Sequence, residues 1–322
     1  MRIYKNEMEL IKKILNKQFV IFDMGSSYGA ENSFLKKFGD QLTFIEIDAL
    51  QNSEIGNKSL FKNIKINKGI HSEAGIKKFI ERNYLQCSSF LEFKDGVGEM
   101  YGIEEHIKTK QIIELDCITV DNILQTNDIA TIDFLKTDIE GLDFEIIKSI
   151  NHRLSDINVI KSELRFQPLF KNEAPFYEIC SYLAARGFEL INFTTLEDWK
   201  LNTRNQKNYR DGRMVWGDFV FFRILNPNEP NYKANIVKQI IIAKSLNFNS
   251  YSEYLLEKSK GILEHSLYKE LEAELNTFSI LELFFNKLFR VLSYTPFIYP
   301  IRKSLKYLYQ RTRLYLTVPQ GI

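Results

Sequence analysis

Short apolar runs recur along the first two thirds of the chain, with segments of helical periodicity between them. The clearest run, residues 19–24, is interrupted only by Asp23 and leads directly into Gly25 and Gly29. A run without polar alternation is typical of a strand covered on both faces, as in a central parallel sheet. The predicted fold is built around this strand, with Asp23 at its carboxyl end, where open α/β sheets bind ligands.

Similar patterns predict the remaining elements. Strands are expected at 41–47, 64–68, 132–137, 158–163, 188–193 and 218–223, and helices at 6–17, 32–38, 142–150 and 174–186. The last strand should run antiparallel, because the link before it contains no obvious helix. Residues 81–111 form a polar connection, and so long a loop in a compact domain is usually functional or mobile.

The turn after the first strand contains Gly25, Ser26, Ser27 and Gly29. Its G-x-x-x-G pattern lacks the third glycine of a dinucleotide-binding fingerprint and the Gly-Lys pair of a Walker loop. About 20 residues further on, Glu46 lies at the end of the second strand, where a carboxylate would accept hydrogen bonds from both hydroxyls of a ribose diol. The pattern therefore predicts a nucleoside-containing ligand at this edge of the sheet.

Three charged residues reach the end of the fourth strand within a short stretch: Lys136, Asp138 and Glu140. Burying these charges without partners would cost free energy, so each must form an ion pair, be exposed to solvent or contact a ligand. With Glu163 at the end of the fifth strand, the sequence offers three general-base candidates, and Lys136 to orient an acid or the acceptor. Asp138 and Glu163 could instead hold Mg²⁺. A general base is the simpler interpretation, so no metal is assigned.

The link between the last two strands, residues 194–217, is rich in aromatic and basic residues, including Trp199, Arg213 and Trp216. Aromatic rings can stack on sugar faces, and arginines clamp carboxylate or phosphate groups. We therefore expect a lid over an acceptor site here, with a mobile surface loop as the alternative.

The composition changes after residue 226. Residues 232–275 have apolar and charged positions at helical spacing, and from Lys287 onward the chain has seven Lys or Arg residues and no acid. The pattern predicts a first domain, 1–226, and a helical extension, 227–322, whose segment 278–322 would contact an anionic membrane surface. The alternative is a helical subdomain packed on the sheet or on a second copy of the chain.

Overall composition adds a few constraints. A hydrophobic fraction of 44% and a charged fraction of 26% are ordinary for a soluble globular protein. A net charge of +2 without a recognition motif argues against a nucleic-acid partner. Three scattered cysteines favour a reducing compartment, and neither a signal peptide nor a stretch of about 20 apolar residues is found. We expect a cytoplasmic protein.

Several motifs together resemble the FkbM family of methyltransferases. The most specific is F-L-K-T-D-I-E-G at 134–141, joined by Asp23-Met24-Gly25, Glu46, Leu115-Asp116, Ser88-Ser89, V-I-K-S-E-L at 159–164 and Y-L-A-A-R-G-F at 182–188. The similarity covers roughly residues 19–224, and Ile47 stands where family members often have proline.

The resemblance implies an α/β, Rossmann-like seven-stranded class I methyltransferase sheet with the last strand antiparallel. It also implies S-adenosylmethionine (SAM) as methyl donor, with contacts at Asp23, Gly25, Ser26, Ser27, Gly29, Glu46, Ile47, Gly69 and Ile70. Asp138, Lys136, Glu140 and Glu163 would supply the catalytic groups.

We therefore expect a SAM-dependent O-methyltransferase that acts on a sugar in surface-polysaccharide or glycolipid assembly. The acceptor would be a small molecule or glycan. Methylation of another hydroxylated metabolite stays open, as does a non-catalytic scaffold of the same fold attached through its C-terminal helices. A homo-oligomer and peripheral contact with the inner face of the membrane are compatible with all three interpretations.

Overall fold

The computed structural model describes residues 9–16, 18–25, 35–49, 62–208 and 211–276. In these ranges the strands are β1 (Phe19–Met24), β2 (Leu42–Ile47), β3 (Lys62–Ile66), β4 (Gly69–Ile70), β5 (Gly75–Arg82), β6 (Thr109–Ile118), β7 (Ile132–Thr137), β8 (Ile157–Arg165), β9 (Phe188–Trp199) and β10 (Arg213–Arg223). The α-helices are α1 (Glu9–Leu15), α2 (Val97–Tyr101), α3 (Glu104–Ile107), α4 (Val120–Thr126), α5 (Asp143–Ser149), α6 (Phe176–Ala184), α7 (Tyr232–Ser245), α8 (Asn249–Lys258) and α9 (His265–Leu275).

The larger sheet confirms the predicted α/β, Rossmann-like topology. Within the described ranges its seven strands follow the order β3-β2-β1-β7-β8-β10-β9. The first five are mutually parallel, and β10 runs antiparallel to β8 and β9, as predicted for the last strand. Strand order reverses between β1 and β7, so their carboxyl ends meet at the point where doubly wound sheets bind ligands.

Both faces of the larger sheet are covered by apolar layers. Phe19, Ile21 and Phe134 pack with α1, α7, α8 and α9 on one face. Val20 and Phe22 pack with α4, α5 and α6 on the other. All six residues of β1 are buried, as its continuous apolar run predicts. The larger sheet is therefore the middle layer of the core, with helices on both faces.

The helices of residues 232–275 are bound to the sheet by buried polar contacts as well as apolar ones. Lys238 Nζ of α7 lies 2.9 Å from Asp133 Oδ1 of β7. Glu270 of α9 accepts hydrogen bonds from the backbone N–H groups of Leu10 and Ile11, at 3.3 and 3.0 Å. These helices thus complete the core on their face and cap the start of α1.

The apolar and basic segment 278–322, predicted to contact a membrane, lies outside the described residues. None of the helices in the described ranges is long and apolar enough to span a bilayer.

A second sheet was not predicted. Strands β4, β6 and β5 pair in that order, with β5 antiparallel to β6. The predicted loop at 81–111 is therefore shorter: it runs from residue 83 to 108 and includes α2 and α3. Most residues of β5 and β6 are exposed or half-buried, and lysines and acids interrupt their apolar pattern.

Candidate active site

A row of charged residues crosses the larger sheet close to the carboxyl ends of its strands. Asp23 is the cross-strand partner of Glu46 on one side and of Lys136 on the other. The row continues from Glu46 to Lys65 and from Lys136 to Lys161. Residues in register project from the same face of a sheet, so register brings the predicted candidates Asp23, Glu46 and Lys136 together.

Lys136 connects the first strand to the carboxylates at the end of β7. Its Nζ lies 3.0 Å from Asp23 Oδ1 and 3.6 Å from Asp138 Oδ2. Burial lowers the pKa of Lys136, but the two carboxylates outweigh burial and raise that pKa overall. The lysine is therefore a fixed cation between the two acids.

Gly25 lies directly against the backbone of Asp138. Its φ is +79°, and a Cβ at this position would lie 1.9 Å from the Asp138 carbonyl oxygen. Its N–H donates to the carbonyl of Ile47 at 3.0 Å. Only glycine fits there, so the glycine turn, the end of β2 and the end of β7 meet at one point.

The turn that follows β7 has an unusual backbone. Glu140 adopts φ +53°, and Gly141 follows with φ +96°. Asp143 accepts hydrogen bonds from the N–H groups of Ile139 and Gly141, and Ser89 Oγ donates to the Glu140 carbonyl at 2.6 Å. A left-handed glutamate costs about 1 kcal/mol or more, so these contacts hold the turn against its local preference.

Arg165 joins the carboxylates at the ends of β7 and β8. Its Nη2 donates to Glu140 Oε2 at 2.6 Å and Glu163 Oε1 at 2.8 Å, and its Nη1 donates to Glu173 Oε1 at 3.0 Å. The arginine was not predicted as a site residue, because the strand was expected to end at Glu163. Continuing the two-residue period from Lys161 through Glu163 would have placed Arg165 on the same face.

The three predicted acids differ in exposure and in pKa. Asp138 has the most open carboxylate, with 33% of its side chain exposed, against 25% for Glu140 and 11% for Glu163. Burial raises the pKa of Asp138. The positive charge of Lys136 lowers this pKa, whereas the Asp218 carboxylate raises it further, and the net shift is upward. Burial also raises the pKa of Glu140 to about 8 and that of Glu163 well above its usual range, although Arg165 lowers both. Asp138 thus combines access with a raised pKa.

The same three acids lie close together, as the ligands of a metal ion do. One oxygen from each of Asp138, Glu140 and Glu163 lies within 4.8 Å of the others. Mg²⁺ demands near-octahedral geometry, and two of the three carboxylates, those of Glu140 and Glu163, already hold ion pairs with Arg165. A divalent cation would have to displace these ion pairs, so we assign no metal here.

The residues predicted to bind SAM fit a ribose-containing ligand in part. Glu46 is 5% exposed; its Oε2 accepts from Asn63 at 3.2 Å and lies 3.9 Å from Lys65 Nζ. Within the described ranges no residue donates to its Oε1. A buried carboxylate with an uncommitted oxygen suits a diol. Ser26, Ser27 and Gly29 lie outside the described residues.

Gly69 and Ile70 have packing roles of their own. They form β4, which pairs with Cys117 and Ile118. A Cβ on Gly69 would lie 2.6 Å from Cys117 Sγ, and Ile70 belongs to the apolar layer that includes Ile47. Their contact with SAM stays a prediction.

The prediction of a lid at residues 194–217 is wrong for most of that range. Trp199 and Arg213 are cross-strand partners, so β9 and β10 form a long hairpin and the loop is limited to 200–212. The Trp199 ring packs edge-to-face on Tyr101 at 5.3 Å. Aromatic residues favour pleated strands, and here they extend the hairpin.

The strand order, together with a carboxylate-lined edge beside a glycine turn, defines a Rossmann-like α/β protein with a ligand site where the strand order reverses. The model of the methyltransferase FkbM domain matches residues 23–190, more than half of the 322-residue chain. The chain belongs to the FkbM family of methyltransferases.

A putative tRNA (m1A22) methyltransferase from Streptococcus pneumoniae is a similar solved structure. It is 10% identical, with 85% of this chain and 96% of that chain covered and a TM-score of 0.28. None of the curated proteins compared with the chain is significantly similar to it.

Proposed function

We propose that the protein is a SAM-dependent O-methyltransferase that methylates a hydroxyl group of a sugar, with Asp138 as general base. The proposal depends above all on the contact between Asp138 and Gly25, since it sets the most accessible carboxylate beside the glycine turn. Family membership supports methyl transfer, and methyltransferases of this family generally use SAM as the methyl donor. The acceptor class fits surface-polysaccharide or glycolipid assembly.

Asp23, Gly25 and Glu46 would hold SAM at the point where strand order reverses. Glu46 would accept hydrogen bonds from ribose hydroxyls, and Lys136 keeps Asp23 in place. Bound SAM supplies a methyl group that is electrophilic because it is attached to a sulfonium. The protein has only to orient the acceptor oxygen and take its proton.

Asp138 is suited to that proton transfer. Its pKa is raised by burial and by Asp218, which brings the carboxylate closer to the basicity that is most effective near neutral pH. Its carboxylate lies 3.6 Å from Lys136 Nζ, and so it is oriented without a close ion pair. Glu140 and Glu163 are each paired with Arg165 and are less exposed than Asp138.

SAM and S-adenosylhomocysteine binding to the wild type and to Glu46→Ala, measured by calorimetry, tests the cofactor. We expect micromolar binding that the substitution weakens by about 1–3 kcal/mol, because the ribose diol loses its acceptor. Glu114→Ala, on the exposed face of β6, is the matched control and should bind as the wild type does. No binding by the wild type would overturn the enzyme proposal and favour a scaffold.

Methyl transfer from radiolabelled SAM to a panel of neutral methyl glycosides tests the acceptor class. Asp138→Asn should reduce transfer at least ~100-fold, as expected for loss of a general base. Binding of S-adenosylhomocysteine should be retained. Full activity in this variant would remove Asp138 from the base role, and an inactive wild type would exclude the glycoside class.

A further inference from the structure

One guanidinium, that of Arg165, faces three carboxylates from three segments of the chain. Its side chain is 5% exposed, and Glu140, Glu163 and Glu173 all lie within 3.0 Å of its nitrogens. Surplus acids in a buried cluster raise each other's cost of ionisation. Pairing with Glu173 alone would satisfy the charge of the arginine, so the other two acids need a separate explanation.

The guanidinium is fixed from the side away from Glu140 and Glu163. Glu173 Oε2 accepts hydrogen bonds from the N–H groups of Leu169 and Phe170, at 2.8 and 3.0 Å. The guanidinium carbon lies 5.0 Å from the centre of the Phe170 ring. Because Glu173 and Phe170 anchor it, Arg165 is a rigid support rather than a mobile counter-ion.

Arg165 holds only one oxygen of each remaining carboxylate. It binds Oε2 of Glu140 and Oε1 of Glu163, and in the described part of the chain no residue donates to the second oxygen of either. Both carboxylates lie next to Asp138, within the 4.8 Å cluster. Glu140 reaches this position only with a left-handed backbone. The arrangement leaves two oriented acceptor oxygens beside the candidate base.

We propose that Arg165 is a positioning residue that holds Glu140 and Glu163 so that their free oxygens accept hydrogen bonds from hydroxyls flanking the one that is methylated. The inference rests on the proposed function. It assigns the specificity of the site to acceptors with neighbouring hydroxyls, because paired carboxylates recognise a polyol by accepting from several of its O–H groups. Trp216, the cross-strand partner of Arg165, lies half-buried at the same edge.

Arg165→Lys tests this role because lysine keeps the charge and loses the planar fork that binds two carboxylates at once. We expect kcat/KM for the methyl glycoside that the wild type methylates to fall at least ~10-fold, with most of the change in KM. The dissociation constant of S-adenosylhomocysteine should change less than about twofold, since no SAM contact is altered.

Arg223→Lys is the matched control. Arg223 is also largely buried, donates to Glu229 at 2.9 Å, and has a buried Nε without a partner among the described residues, as Arg165 does. It is the last residue of β10 and pairs with Phe188, the first residue of β9, so it lies at the end of the strands away from the candidate site. We expect Arg223→Lys to lower Tm without changing kcat/KM at a temperature well below that Tm.

Retention of wild-type kcat/KM by Arg165→Lys would overturn the inference and leave the proposed function intact. A loss of kcat/KM that Arg223→Lys reproduces would also overturn it, because the effect would then be one of stability. Failure of the wild type to methylate any glycoside, despite binding S-adenosylhomocysteine, would refute the acceptor class and the inference with it.

Discussion

Lys136 Nζ lies 3.0 Å from Asp23 Oδ1, and the two residues are cross-strand partners on the adjacent parallel strands β7 and β1. The pair joins the strand that leads into the glycine turn to the strand that delivers Asp138. Since Asp23 is 4% exposed, its charge depends on this partner.

Lys136→Met should leave the Asp23 carboxylate buried without its cation. We expect the free energy of unfolding to fall by about 3 kcal/mol, because an uncompensated buried charge is strongly destabilising. Combining it with Asp23→Asn in a double-mutant cycle should reveal a coupling of about 1–3 kcal/mol in urea denaturation. Strictly additive effects would show that the two side chains do not depend on each other.

Gly25→Ala should disturb the meeting point of β1, β2 and β7. The added methyl group would overlap the Asp138 carbonyl, so we expect binding of S-adenosylhomocysteine to weaken at least ~10-fold. Gly75→Ala is the control: Gly75 has φ +115°, but no described atom lies within 4 Å of the position of its Cβ. Equal losses in both variants would trace the effect to backbone strain rather than to the contact with Asp138.

Glu140 should make the protein less stable as the pH rises. Burial raises its pKa in the folded state to about 8, above its usual value of about 4.3 in the unfolded chain, despite the opposing effect of Arg165. Stability that is fully present below pH 4.3 is then lost as the pH rises through 8. Glu140→Gln should flatten this decline in chemical denaturation at pH 5, 6.5 and 8. A pH dependence as steep as that of the wild type would contradict the assignment.

Lys238→Met should uncouple α7 from the sheet. Asp133 is 1% exposed, so removing its cation should lower the free energy of unfolding by about 3–5 kcal/mol at pH 7. Burial already raises the pKa of Asp133 above its unfolded value, and the variant should raise it further. The loss in free energy of unfolding caused by Lys238→Met should therefore be smaller at acid pH and larger as the pH rises. Adding Asp133→Asn should restore most of the stability, and no rescue would mean that the packing of the lysine chain matters more than its charge.

Chelation should leave methyl transfer unchanged. Glu140 and Glu163 each already give one oxygen to an ion pair with Arg165, and a divalent cation would have to displace these pairs. Incubation with EDTA, followed by the glycoside assay with and without added Mg²⁺, measures this directly. Loss of activity that Mg²⁺ restores would assign the three carboxylates to a metal.

The central parallel strands could be predicted because their apolar runs are long enough to define a strand by themselves. The charged residues at their ends followed from the same pattern, and register then brought Asp23, Glu46 and Lys136 together. Register depends on pairing between distant segments, so no local pattern could show which charges would become partners.

Other parts of the site could not be predicted from the sequence for related reasons. Arg165 lies beyond the last apolar residue of β8, and its importance becomes visible only when Glu173 and Glu140 arrive from other segments. The β9–β10 hairpin was mistaken for a lid, because half-exposed strands combine polar and aromatic residues as loops do.

The cap that Glu270 gives to α1 has a consequence for biosynthesis. α1, the first helix described, obtains an acceptor for two of its free N–H groups from α9, the last one described, and Asp133 obtains its cation from α7. While the ribosome is still making the strands, α1 is the one α-helix among the described residues already available to cover this side of the sheet. Closure of that side must therefore await α7, α8 and α9, and until they are made the apolar strands of the nascent chain stay exposed to aggregation.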